Sequence, residues 1–259
     1  MDIIKAIKDG KAQFSFAEVV SEYNEYKLYI SVFADALKID GIRRSVTAVQ
    51  MQQAADVLGC MLLTPKIVDL IWMQAKLQFD PIVNINGTIV ANLTDEIVSK
   101  AIDKKIEKLG GIKDGEIVSS VGKYWVLANK LANWQDLKKY GKRSTCNYGW
   151  LSKTGLYKAI TSGLKCWQPP GFAHNDEHVD PSQVIKLMSR NARLIEPNGS
   201  EKDIDMHYIL TDPKLYKLAS HEGPMHYLRQ MSVPEPQAII LDDGTISIPE
   251  ITIYGSTKM

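Results

Sequence analysis

All five histidines of the chain fall between His174 and His226, and two stand four residues apart in His174-Asn-Asp-Glu-His178-Val-Asp180. Imidazole titrates near neutral pH and is the commonest metal ligand, so bunched histidines beside carboxylates mark a place for proton transfer or metal binding. A second cluster follows in Ser220-His221-Glu222-Gly-Pro-Met-His226. Two chemistries can be written on these residues. In one, Cys146 is a nucleophile, lying in Gly141-Lys-Arg-Ser-Thr-Cys146-Asn-Tyr-Gly-Trp150, where neighbouring cations favour the thiolate. His174 or His178 is then the base, and Asp180, Asn147 or Gln183 orients the imidazole. In the other, His174, His178, His221 and His226 supply zinc ligands, with Asp180 as a further donor and Glu177 or Glu222 as base to a bound water. Spacing leaves both open, and it leaves open a site with no cofactor.

On a helix, the four-residue spacing of His174 and His178 would put both rings on one face. Pro169-Pro-Gly171 before them and Asp180-Pro181 after them point instead to a loop, because the residue before proline disfavours the helical region. Aromatic residues are densest in Lys123-Tyr-Trp-Val-Leu-Ala-Asn129. Lys123, Trp125, Asn147, Tyr148, Trp150 and Gln183 form the expected substrate-binding set, with Lys123 for a carboxylate or sugar and the rings as groove walls. Each also has a plainer role, as core aromatics or as a lysine whose stem lies along apolar surface. Cys60 and Cys166 read as packed, inert thiols.

Lys123-Tyr-Trp-Val-Leu-Ala-Asn129, Asn147-Tyr-Gly-Trp150 and His174…His178-Val-Asp-Pro-Ser-Gln183 together resemble uncharacterised proteins of bacteria and their phages that are associated with cell-envelope genes. The resemblance runs from about Val46 to Arg229. In that pattern tyrosine often stands where this chain has Pro181. The resemblance implies a cell-wall substrate and brings no catalytic assignment with it.

Residues 1–109 read as a helical region that frames these motifs. Ser15 with Glu18 has the pattern of a capping box, followed by apolar residues from Val19 to Leu37 at roughly helical spacing. Thr47 with Gln50, Thr64-Pro65 and Thr94-Asp95-Glu96 open three further helices, closed at Gly59 and, for the last, at Gly110-Gly111. Ile67, Leu70, Ile71, Met73, Ala75 and Leu77 supply the buried side of the helix that starts at Pro65. Residues 112–259 read as a mixed α/β region with a small, mostly antiparallel sheet that carries the site, joined at Gly110-Gly111 or continuous with the first in one domain. Strands are expected within Glu116–Ala128 and Thr145–Leu151, short helices at Asn133–Tyr140 and Thr154–Ser162, and a loop at Trp167–Gly171. Val184–Ile195 reads as a strand or a helix. Ala238-Ile-Ile-Leu241 and Thr245-Ile-Ser-Ile248 form a hairpin around Asp242-Asp-Gly244. The fold class is mixed α+β.

Lys+Arg at 31 against Asp+Glu at 30 leaves a net charge of +1, spread evenly over both halves. That balance argues against a partner bound by neutralising phosphates, so no nucleic acid is expected. No apolar run approaches about 18 residues, so no membrane insertion is expected. The charged start Met1-Asp-Ile-Ile-Lys is unlike a secretory signal, and three cysteines are too few for a disulfide framework, so a cytoplasmic setting is expected. The function expected is a soluble hydrolase acting on an amide or peptide-type bond, with a peptide or cell-wall-type substrate. The alternative is a non-enzymatic binding or assembly protein of phage or cell envelope.

Overall fold

The computed structural model describes residues 1–128, 146–159, 162–225 and 227–230, and the backbone of 239–240 and 246–247. The first half holds α1 (Ile3–Lys8), β1 (Ala12–Gln13), β2 (Phe16–Tyr23), β3 (Tyr26–Phe33), β4 (Lys38–Ile39), β5 (Ile42–Arg43) and α2 (Ala48–Val57). It continues with β6 (Cys60–Leu62), α3 (Pro65–Gln74), β7 (Asn84–Ile85), β8 (Thr88–Ile89) and α4 (Asp95–Lys108). The second half holds β9 (Lys123–Val126), β10 (Cys146–Leu151), β11 (Tyr157–Lys158), β12 (Lys165–Gly171), β13 (Leu187–Ile195), β14 (Glu201–Asp205), α5 (Met206–Thr211), β15 (Ile239–Ile240) and β16 (Ile246–Ser247). The fold is mixed α+β, and no described helix is long and apolar enough to cross a membrane.

A helix over residues 15–38 is not what forms. The segment is the β2–β3 hairpin, in register from Phe16↔Phe33 to Tyr23↔Tyr26. Leu28, Ile30 and Val32 are fully buried while Lys27 is exposed, a period of two. The turn at Asn24 and Glu25 has φ of 47° and 64°, as a type I′ hairpin turn requires at both central residues. The expected Ser15–Glu18 box therefore sits at the mouth of a hairpin.

The other helix starts form as the sequence suggests. Thr47 Oγ1 accepts from Gln50 N at 3.1 Å while Gln50 Oε1 accepts from Thr47 N at 3.1 Å, a reciprocal capping box that opens α2. Thr64 Oγ1 accepts from Ile67 N at 3.2 Å to open α3. Ile67, Leu70 and Ile71 are buried there, but Met73, expected on the same side, is 53% exposed.

β13 builds a five-stranded antiparallel sheet in the order β14-β13-β3-β2, with β6 also paired to β13. A strand from beyond Gly110-Gly111 thus completes a sheet begun before it. Of the two readings of Val184–Ile195, the strand is the one formed. The second sheet has the order β11-β12-β10-β9 and carries the candidate site. Trp167–Gly171, expected as a loop, lies in β12. Its prolines are tolerated because the register against β10 shifts between Gly149↔Gln168 and Asn147↔Gly171, so Pro169 and Pro170 sit in a bulge where no ladder donor is needed. The described part of Thr154–Ser162, expected to be helical, is a bend followed by β11. The expected Asn133–Tyr140 helix lies outside the described residues. At the C-terminal end Ile240 pairs with Ile246, while the Asp242-Asp-Gly244 turn is outside the description.

Candidate functional site

β9 and β10 pair in unbroken antiparallel register, Val126↔Cys146, Trp125↔Asn147, Tyr124↔Tyr148 and Lys123↔Gly149. Directly opposed residues share a face and successive residues alternate. Lys123, Trp125 and Asn147 therefore lie on one face, and Tyr124, Val126, Cys146 and Tyr148 on the other. Gln183 joins the first face by a parallel bridge to Lys123, secured by Lys123 N donating to Ser182 O at 2.6 Å and Val184 N to Lys123 O at 3.1 Å. By parity Trp150 belongs with Tyr148. Positive φ at Gly149 (144°) and Trp150 (51°) breaks the alternation and brings the Trp150 ring to 5.1 Å from Lys123 Nζ. A tryptophan in this left-handed region stores backbone strain, and such strain and bulges concentrate beside sites.

The histidine loop closes over this face. The rings of His174 and His178 stack at 3.8 Å between centroids and 6° between planes, and His174 meets Trp125 edge-on at 6.4 Å. Asp180 Oδ2 lies 3.1 Å from Lys123 Nζ and 3.5 Å from His178 Nε2. Asp180 is held by its own loop: Ser182 N donates to Oδ1 at 2.8 Å, the Ser182 hydroxyl donates to the same oxygen, and Asp180 N donates to Gln183 Oε1 at 2.9 Å. Burial acts to raise the Asp180 carboxyl, but the Ser182 hydroxyl and the Lys123 ammonium outweigh it and keep it below the usual carboxylate range. His174 is pushed below the ordinary imidazole value, first by burial and then by His178 and Lys123. Its surroundings therefore favour the uncharged ring.

Several polar atoms on this side have no hydrogen-bond partner among the described residues. They are both amide atoms of Asn147, Gln183 Nε2 and His178 Nε2. Such atoms cost about 1–3 kcal/mol each in a folded protein.

The opposite face is a second polar centre. Tyr148 Oη donates to Asp69 Oδ1 of α3 at 2.5 Å, and His221 Nε2 stands 3.8 Å from Asp69 Oδ2. Burial raises the Asp69 carboxyl to about 6, against hydrogen bonds from Tyr148 and Ser162. His221 is lowered by burial and by Lys66. Cys146 and Tyr148, expected in one site with the histidine pair, thus belong to the far side of the sheet, where Cys146 is buried. His221, expected as a fellow ligand of His174 and His178, is beside Asp69 instead. His226 lies outside the described residues. Among the described residues no three His, Cys, Asp or Glu side chains gather as a metal site would need. The parallel His174 and His178 rings hold their lone pairs in separate planes, so a shared ion would require one ring to turn.

Asp69 was not singled out by the sequence reading. Its sequence signal is a lone carboxylate among the apolar residues of Lys66-Ile-Val-Asp69-Leu-Ile-Trp72. Comparison with known protein families, with curated proteins and with solved structures finds no match, so the likeness noted above rests on its own motifs.

Proposed function

We propose that this chain is a hydrolase of an amide or peptide-type bond, working on the His174–His178 face with water as the nucleophile. The observation that supports this most is Asp180, whose Oδ2 faces both the Lys123 ammonium and His178 Nε2. In this reading His178 takes the proton of the attacking water as the C–O bond forms, Asp180 stabilises the imidazolium, and the imidazolium returns that proton to the departing amine as the C–N bond breaks, with His174 stacked on the base. The Lys123 ammonium supplies positive charge beside the developing oxyanion. Trp125 and Trp150 wall the substrate, and the open amides of Asn147 and Gln183 hold it. A peptide or cell-wall-type substrate fits these groups.

Amine release from N-acetylated peptides tests the proposal. Activity that survives both iodoacetamide and a chelator fits the water route. Loss to iodoacetamide alone would restore Cys146, and loss to the chelator alone would restore a metal. A second reading, a binding or assembly protein without turnover, is favoured by one observation. Cys146 is on the far face and the Ser182 hydroxyl is committed to Asp180, so no ready side-chain nucleophile adjoins the histidines among the described residues. Saturable binding without amine release would establish that reading.

A further inference from the structure

We infer that Asn86, at the tip of the β7–β8 hairpin, is a site of spontaneous deamidation, and that the fold shields the chain's other Asn-Gly pair, Asn198-Gly199. The modification is independent of the proposed hydrolase face. In the first step the Gly87 backbone nitrogen attacks Cγ of Asn86. The N–Cγ bond forms as the Cγ–Nδ2 bond breaks, and the proton of the attacking nitrogen leaves with ammonia. The resulting succinimide takes up solvent water, at Cγ to give aspartate or at the main-chain carbonyl carbon to give isoaspartate. Glycine favours the first step because no Cβ crowds its nitrogen.

Both pairs are exposed, and they differ in what must break before attack. Asn86 and Gly87 have φ of 50° and 83°, a type I′ turn between Ile85 and Thr88. The turn must open for the nitrogen to reach Cγ. It is held by two residue pairs, Asn84↔Ile89 and Ile85↔Thr88, and Asn84, Thr88 and Ile89 are all exposed. The Gly87 N–H meets no acceptor among the described residues. Asn198-Gly199 instead closes the β13–β14 hairpin, held by five pairs from Ile195↔Glu201 to Asn191↔Asp205. There Gly199 N donates to Glu196 O at 2.8 Å, and Asn198 Oδ1 accepts from Ser200 N at 2.9 Å. Nucleophile and carboxamide are both engaged. Local opening is easiest where few buried contacts resist it, so the β7–β8 tip opens first. Loss of the Asn86 amide adds a carboxylate that cancels the chain's excess positive charge. The isoaspartyl form also lengthens the main chain inside a two-residue turn.

The test ages the full chain at mildly alkaline pH, where loss of the amide proton speeds attack, both natively and in urea. Peptide mass spectrometry and enzymatic methylation of isoaspartate follow the two sites. In the native chain Asn86 is expected to convert at least about five-fold faster than Asn198, whose two hydrogen bonds must break first. In urea the two rates converge, because both are then Asn-Gly in an open chain. Gly87→Ala, compared in urea so that the turn plays no part, slows conversion of Asn86 by placing a Cβ beside the nucleophile. Equal native rates, or faster loss at Asn198, overturn the inference. So does an Asn86 that stays intact natively while converting in urea, since the turn would then protect it. Undiminished conversion of Gly87→Ala in urea overturns attack by the Gly87 nitrogen.

Discussion

The two faces of β10 solve the burial of polar groups in different ways. On the face of Tyr148, the Asp69 carboxyl accepts from the phenol on Oδ1 at 2.5 Å, while its Oδ2 and the Tyr124 hydroxyl are buried without a hydrogen-bond partner among the described residues. On the face of Asn147, a carboxylate is shared between Lys123 and His178, and the amides around it are unmet. A carboxyl that burial raises to about 6 can hold its own proton, whereas one held low by an ammonium and a hydroxyl stays charged. One strand, by alternating side chains, separates a carboxyl that burial raises from a carboxylate that its partners hold low.

The sharpest way to break this contrast is Asp180→Ala. It leaves the Lys123 ammonium nearly buried without its anion and is expected to cost about 3–5 kcal/mol in urea unfolding. A loss under about 1 kcal/mol would show that the pair is solvated and does not organise the face. Next comes pH. Asp69 has a native value of about 6, above its usual 3.8, so the native chain holds a proton that the unfolded chain has released. The resulting stabilisation is complete below about pH 4 and is lost as pH rises through about 6, on the order of 2–3 kcal/mol. Asp69→Asn should flatten that part of the stability profile, and an unchanged profile would contradict the buried carboxyl.

Asp180 and His174 respond in the opposite sense. With the Asp180 carboxyl held low, its contribution is present above about pH 4 and fades as pH falls through its native value. With His174 depressed, its contribution is present above about pH 6.5 and is lost on acidification. Tyr148→Phe, which strips a donor from a buried carboxylate, is expected to cost about 2 kcal/mol by thermal or urea unfolding. The smallest effect should come from Asn147→Leu, which removes two unmet polar atoms at similar volume. It is expected to be neutral or stabilising by up to about 1 kcal/mol, and a loss above about 2 kcal/mol would mean that Asn147 has a structural partner.

How much of this was legible depended on the range of the interaction that decides each element. Thr47 with Gln50, Thr64-Pro65 and Thr94 open helices through hydrogen bonds made within three residues, so the sequence carries the whole signal. The β2–β3 hairpin is hidden in the sequence because Asn24-Glu25 has no glycine to mark a type I′ turn, and the surrounding apolar spacing also fits a helix. Pro169-Pro170 reads as a loop until the partner strand is known, since the bulge that accommodates the prolines exists only in the pairing of β10 with β12. The site divides in the same way. The closeness of His174, His178 and Asp180 is local and legible in the sequence, whereas the placement of Lys123 and Trp125 beside them is set by strand pairing. That Cys146 and His221 face away from them depends on strand register and on α3 packing against β10, which no spacing along the chain encodes.

The central claim is that chemistry belongs to the Asn147 face and structure to the Tyr148 face. It is tested most directly by measuring amine release from N-acetylated peptides by the native chain, His178→Ala and His221→Ala, each with its urea unfolding curve as a control for folding. The account predicts a loss of at least about 100-fold for His178→Ala and a rate within about two-fold of native for His221→Ala. A native rate in His178→Ala, or the larger loss in a folded His221→Ala, would contradict it.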